Sequence, residues 1–329
     1  MTPILDALSQ IETLKQVPIK TLKALAQELR LRIIHVVSQT GGHLASNLGI
    51  VELTIALHRV FESPKDTFIF DVGHQSYVHK LLTGRNGDFP SLRQTKGLSG
   101  FTDPEESPHD HFYAGHAGNA LSLALGVAKS RDLQQKEHAI IPILGDASLT
   151  CGLTLEALNN IPPSLKKFII VLNDNAMSIS KNVGAIPHIL NGSFKSSAGN
   201  ALFQALIKQV DLSSHFNRSL LSSPPSIEQA SDHLIAPSLF FEQFGLAYVG
   251  PIDGHNMEEL LSTFEELKHL SCPTLVHVLT TKGQGMEKAM NNPTPYHGAA
   301  PFNPTTGTFH LKKRKETSFP KIFGSYLYY

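Results

Sequence analysis

Apolar positions recur along this chain in two rhythms. Leu22, Leu25, Ala26, Leu29, Ile33, Val36 and Val37 step by three and four, which predicts a helix with one apolar stripe. The same spacing joins Leu53, Ala56, Leu57, Val60 and Phe61, then Ala120, Leu123, Ala124, Val127 and Ala128, and finally Met257, Leu260, Leu261, Phe264 and Leu267. Asn256 and Glu259 stand before the last stripe with the spacing of a capping box. Between the helices lie short continuous apolar runs: Phe68 to Phe70, Ile140 to Leu144, Phe168 to Leu172, and Thr274 to Leu279. A strand that is apolar on consecutive residues is buried on both faces, and intervening helices supply the crossovers that parallel strands need. The pattern predicts an α/β fold with a doubly wound, mostly parallel sheet and helices on both faces.

Residues 211–238 break the rhythm with eight serines and the pair Pro224-Pro225. They predict a mobile insertion at about 190–240, read either as a surface loop or as a lid. Lys312-Lys313-Arg314-Lys315 reads as a solvated linker, and apolar residues return at Ile322-Phe323. The expected organisation is one domain over 1–310, then a linker and the start of a further unit over 311–329.

The chain of 329 residues balances 28 Lys and Arg against 28 Asp and Glu, so it has no global field to hold nucleic acid or an anionic membrane. Neither kind of partner is expected. Two cysteines, Cys151 and Cys272, lie far apart and match no ligand spacing, which suits a reducing cytoplasm. Runs such as Phe168 to Leu172 are too short to span a bilayer, and Asp6, Ser9 and Gln10 interrupt any signal-like start.

Candidate chemistry gathers where strands end. Gly145-Asp146-Ala147-Ser148 and Asn173-Asp174-Asn175 each follow an apolar strand, with one helix-sized crossover between them. Both clusters belong at the carboxyl ends of parallel strands, where open α/β sheets place ligands. One carboxylate and one carboxamide oxygen suit magnesium shared with a phosphorylated ligand, with the helix start near Ala147 and Ser148 offering N–H groups to the anion. The alternative is that Asp146 and Asn175 are ordinary strand-end turn formers, and spacing leaves the two readings even. Gly115-His116-Ala117-Gly118-Asn119 opens a small-residue helix, and either receives a phosphate or makes a tight turn. His43 and His74 stand in turn-like settings, two among 17 histidines. No P-loop is present, and Gly283-Gln284-Gly285 lacks the third glycine of a dinucleotide fingerprint.

With Gly42 to Gly49, Asp71-Val72-Gly73-His74-Gln75, His79-Lys80, Leu82 to Arg85, Leu92-Arg93-Gln94, Gly145-Asp146, Asn173 to Ser180, Gly250 to His255, Lys282 to Gly285 and Tyr296-His297, the chain resembles the 1-deoxy-D-xylulose-5-phosphate synthase family. These are thiamine-diphosphate enzymes of the transketolase group. The resemblance runs over nearly the whole chain. It implies thiamine diphosphate and Mg2+ as cofactors, with Asp146, Asn175 and the main-chain oxygen of Met177 as metal ligands. It implies that His74, Gly115, His116, Ala117, Ala147, Ser148 and Asn175 line the cofactor pocket, with Met286 near it, and that His43 and His74 assist proton transfers. The implied substrates are pyruvate and D-glyceraldehyde 3-phosphate.

Three departures from the family pattern stand out. Ala147 replaces a glycine, Asn119-Ala120 a pair of hydroxyl residues, and Met286 a tyrosine. Family members are also about twice as long and continue into a pyrimidine-binding domain that carries an activating glutamate. That glutamate has no expected counterpart here, so the resemblance implies an amino-terminal half, inactive alone, and a homodimer or a partner bearing the missing domains. A transketolase-type half-enzyme and a non-catalytic protein of the same fold are the alternatives. A nicotinamide dehydrogenase has only the fold class behind it.

Overall fold

A computed structural model describes residues 3–8, 11–190, 237–310 and 319–327. Five strands, β1 (Thr67–Phe70), β2 (Ile140–Gly145), β3 (Ile169–Asp174), β4 (Ala247–Asp253) and β5 (Thr274–Leu279), pair in parallel in the order β1-β2-β3-β5-β4. Four of them are the predicted apolar runs. Phe68, Phe70, Ile141, Ile143, Ile169, Val171, Val276 and Val278 face one core layer, and Ile69, Ile140, Leu144, Ile170, Leu172 and Leu275 face the other. This alternation between two buried faces makes the sheet doubly wound, as expected.

β4 is the strand that the apolar pattern did not reveal. Gly250-Pro251 interrupts its run, and its register with β5 shifts between Val249 and Ile252. Proline and partial exposure are tolerated there because β4 is an edge strand.

On the first face lie α2 (Ile19–Thr40), α4 (Val51–Val60) and α10 (Met257–Leu267), the last capped by Asn256 Oδ1, which accepts the Glu259 N–H at 3.2 Å. α4 is buried nearly all round, being packed against both α2 and α10. Short helices α1 (Pro3–Ala7), α3 (Leu44–Gly49) and α5 (Tyr77–Lys80) complete that layer. The second face carries α6 (Ala120–Leu133), α7 (Gly152–Asn159), α8 (Ala185–Leu190) and α9 (Pro237–Glu242). In α6 the buried line runs through Ala120, Leu121, Ala124, Ala128 and Arg131, leaving Leu123 and Val127 half-buried. Alanines there let the helix lie close to β2.

Residues 191–236, most of the insertion expected at about 190–240, lie outside the described residues, as do 311–318 of the expected linker. α11 (Glu287–Asn291) follows β5, and α12 (Phe319–Leu327) exposes Phe319, Ile322, Phe323, Tyr326 and Leu327. Among the described residues no helix is long and apolar enough to cross a membrane, and both cysteines are free thiols.

Candidate functional site at the carboxyl ends of the strands

The segments after β1, β2, β3 and β5 emerge on one edge of the sheet because all the strands are parallel. After β1, Asp71 is buried and accepts three main-chain or hydroxyl donors from elsewhere. Gly118 N–H donates at 3.0 Å, Ala120 N–H at 3.1 Å and Ser148 Oγ at 2.5 Å. One carboxylate therefore ties the turn before α6 to the 3-10 segment Asp146–Thr150. The expected single helix start at Ala147 and Ser148 is this short 3-10 turn followed by α7, and the Ser148 hydroxyl is already engaged by Asp71. Gly115, His116 and Ala117 form an exposed turn next to it. At Gly115 (φ 137°) a Cβ would meet nothing within 4 Å, whereas at Gly118 (φ 88°) it would stand 2.5 Å from Cys151 Cβ. The Gly118 end of the turn is packed, and the Gly115 end is open.

β2 and β3 pair Gly145 with Asn173, which sets Asp146 beside Asp174. Asp146 is buried and receives Asn182 Nδ2 at 2.6 Å. Burial, and then the neighbouring Asp174 carboxyl, push the Asp146 carboxyl up to about 8. Burial also acts to raise Asp174, but hydrogen bonds from His277 and the Ala176 N–H outweigh it and hold that carboxyl below its usual range. Two carboxyls crowded in a buried strand end are what a divalent cation relieves. Asn175 Oδ1 accepts the Met177 N–H at 3.2 Å, closing a turn through Ala176, whose φ is 58°. The donor set of Asp146, Asn175 and the Met177 carbonyl is all oxygen, which fits magnesium, and the open Gly115 turn leaves room for a diphosphate. The residues fit the implied group.

Three further site residues form a cluster of imidazoles. His43 and His74 have ring centres 5.1 Å apart, and His297 lies 5.7 Å from His43 and 5.4 Å from His74. Burial is the main cause that lowers all three, to about 4 for His43, about 3 for His74 and about 4 for His297. All three are neutral at pH 7. The Nδ1 atoms of His43 and His74 are buried without a hydrogen-bond partner.

His297 arrives by chain crossing. Gly42 and Ala299 exchange main-chain hydrogen bonds at 2.9 and 2.7 Å, and the Tyr296 carbonyl accepts the Ala45 N–H at 2.9 Å. Lys282, buried after β5, donates to His297 Nδ1 at 3.1 Å and to the Ser178 carbonyl. Burial lowers Lys282 to about 8. Met286 is buried in the apolar core layer that α2 and α4 share.

Sequence reasoning quoted Asp71, Lys282 and His297 within motifs but assigned them no role. It also missed the purpose of the Gly250 to His255 motif. His255 Nε2 accepts the Thr281 N–H at 2.8 Å, so its Nδ1 carries the proton and donates to Glu52 Oε2 at 3.2 Å. Glu52 in turn receives Arg30 at 2.5 Å, and Arg30 Nε donates to the Gln284 carbonyl at 3.2 Å. This chain clamps the Thr281 to Gln284 loop, which carries Lys282, onto α2 and α4.

A family model described as 1-deoxy-D-xylulose-5-phosphate synthase matches residues 5–280. The chain belongs to that family. It is 54% identical over 328 residues to the 1-deoxy-D-xylulose-5-phosphate synthase of Chlamydia pneumoniae, covering 99% of this chain and 51% of that protein. With the synthase of Caldanaerobacter subterraneus subsp. tengcongensis it shares 46% identity over 98% of its own length and 52% of the relative's. The chain thus spans about half the length of the curated relatives it matches. Among solved structures it resembles transketolase from Campylobacter jejuni, with a TM-score of 0.61 at 20% identity over 86% of this chain and 41% of that one. Transketolase from Leishmania mexicana gives a TM-score of 0.60 at 18% identity, covering 90% of this chain and 43% of that one. Those two likenesses establish the fold. The synthase family is set by the much higher sequence identities.

Proposed function

We propose that this chain forms the magnesium- and diphosphate-binding part of a 1-deoxy-D-xylulose-5-phosphate synthase, with residues 1–310 as that domain. The observation that carries the reading is the buried Asp146–Asp174 pair at adjacent strand ends, linked to a cluster of three neutral histidines through Lys282, which donates to His297 and lies in the field of Asp146, in a chain of this family. Asp146, Asn175 Oδ1 and the Met177 carbonyl hold Mg2+. His74, Gly115, His116, Ala117, Ala147 and Ser148 line the cofactor, Ser148 through its main chain. Met286 supports the pocket from the core. Thiamine diphosphate, when bound, supplies the carbanion chemistry by which pyruvate loses carbon dioxide and its two-carbon remainder joins the aldehyde carbon of D-glyceraldehyde 3-phosphate.

The protein's part is positional and electrostatic. His43 and His74 remain uncharged at pH 7, so they donate or accept a proton at the reacting oxygen without adding a buried cation. Lys282 fixes the His297 tautomer, because a lysine donating to Nδ1 leaves the proton on Nε2. The free thiols Cys151 and Cys272 suit a reducing cytoplasm. The working assembly is a homodimer, or a complex with a partner that carries the domains found in the rest of the relatives' length.

The test combines the purified chain with a separately produced carboxy-terminal half of the Chlamydia pneumoniae relative. Release of carbon dioxide from pyruvate on adding D-glyceraldehyde 3-phosphate is expected from the mixture and not from either part. A mixture that binds cofactor yet takes only a ketose donor would favour the transketolase-type reading.

A further inference from the structure

β5 reads Thr-Leu-Val-His-Val-Leu, and His277 is the one polar side chain in its apolar middle. It is 1% exposed, in the interior of the sheet, where a histidine is costly unless both ring nitrogens are satisfied. Both are. Tyr248 Oη on β4 lies 2.7 Å from Nδ1, and Asp174 Oδ2 at the end of β3 lies 2.8 Å from Nε2. The chain therefore crosses three adjacent strands and ends on the carboxylate beside Asp146.

Its direction follows from donor chemistry. The Asp174 carboxylate only accepts, so Nε2 carries a proton. Burial and the nearby Asp174 charge push the Tyr248 phenol up, so it stays protonated and can donate to a neutral ring at Nδ1. The other Asp174 oxygen, Oδ1, accepts the Ala176 N–H at 2.9 Å. That bond holds the left-handed Ala176 turn, on either side of which stand Asn175 and Met177. Two bonds from Thr280, just after β5, fasten the same strand end: its Oγ1 donates to Asn173 Oδ1 at 2.6 Å, and its N–H to the Asp174 carbonyl at 2.8 Å.

We propose that His277, seated by Tyr248, is a positioning residue for the divalent cation: through Asp174 it sets the turn that displays Asn175 and the Met177 carbonyl. The inference rests on the reading of Asp146, Asn175 and Met177 as the metal site. Tyr248 and His277 touch no ligand themselves. Outer-shell partners of this kind typically change metal affinity by about 10- to 100-fold when removed.

Two measurements on the full chain separate this proposal from the site reading. Hydrogen exchange over residues 173–182, without cofactor, is expected to speed up about tenfold in His277→Phe and less in Tyr248→Phe, which removes only a hydroxyl. His277→Gln, which keeps an amide donor for Asp174, is expected to restore protection. Titration of Mg2+ at fixed thiamine diphosphate is expected to show about 10- to 100-fold weaker metal affinity in His277→Phe, with rescue in His277→Gln. Unchanged exchange in Tyr248→Phe, together with unchanged exchange in His277→Phe or a global loss of protection there that His277→Gln does not restore, overturns the positioning role. A wild-type chain that binds no Mg2+–thiamine diphosphate overturns the site reading, and exchange still decides whether His277 holds the loop.

Discussion

Asn47 and His74 are joined by a bond that sets the spacing of the histidine cluster. Asn47 Nδ2 donates to the His74 carbonyl at 2.7 Å and to the His43 carbonyl at 2.6 Å, while its Oδ1 accepts the Tyr77 N–H at 2.9 Å. Tyr77 Oη closes the frame by accepting the His43 N–H at 3.1 Å. A single buried amide thus fastens the α2–α3 turn to the loop after β1. Asn47→Ala leaves the His74 carbonyl and the Tyr77 N–H without this partner in a dry site, at a cost of about 3 kcal/mol. Urea unfolding checks this, and a loss below about 1 kcal/mol would mean that water replaces the amide.

A second network holds the other wall. Asp110, fully buried, receives Arg85 at 2.7 and 2.9 Å, His79 Nε2 at 2.9 Å and the Asp103 N–H at 2.8 Å. Asp110→Asn removes the paired carboxylate of a buried guanidinium, leaving Arg85 only Glu106 at 3.5 Å and the Thr83 hydroxyl, and is expected to cost about 3–5 kcal/mol. By contrast, Glu62→Gln at the exposed Lys65 pair should leave the unfolding midpoint unchanged. Equal effects of the two substitutions would contradict the assignment of Asp110 as a structural anchor.

Acidity acts through the buried histidines. Burial lowers His43, His79 and His297 to about 4 and His74 to about 3, below the unfolded value of 6.5. Between those limits the unfolded chain binds more protons, so stability is present above pH 6.5 and is lost as pH falls toward 4. Asp146, raised to about 8, has the opposite sign over the same window, but it offers one proton against four. Melting temperature should therefore rise steadily from pH 5 to pH 7. A flat profile would show that the imidazoles are solvated.

Asp146 illustrates a site built against stability. In the metal-free chain its carboxyl crowds Asp174, and Asp146→Asn keeps an acceptor for Asn182 while removing the repulsion. The variant is expected to be more stable without metal by roughly 1 kcal/mol or more. A less stable variant in EDTA would sink this reading of the pair.

Much of this arrangement is legible in the residues alone. Periodicity identified four of the five strands and put Asp146 and Asn175 at parallel strand ends, while spacing left their role open between metal ligand and turn former. β4 was hidden because Gly250-Pro251 erases the apolar run that an edge strand does not need. His297 was hidden for another reason: it rides on a loop, and only the Gly42–Ala299 pairing brings it to His43. Asp71 and His277 gave no sequence signal of their roles, since their partners are distant along the chain.

The most direct test is a calorimetric titration of the chain with thiamine diphosphate, in Mg2+ and again in EDTA, beside Asp146→Asn. Binding that requires Mg2+ and is lost in the variant is the predicted result. Equal binding in EDTA, or full affinity in Asp146→Asn, would contradict the account of these strand ends as a magnesium–diphosphate site.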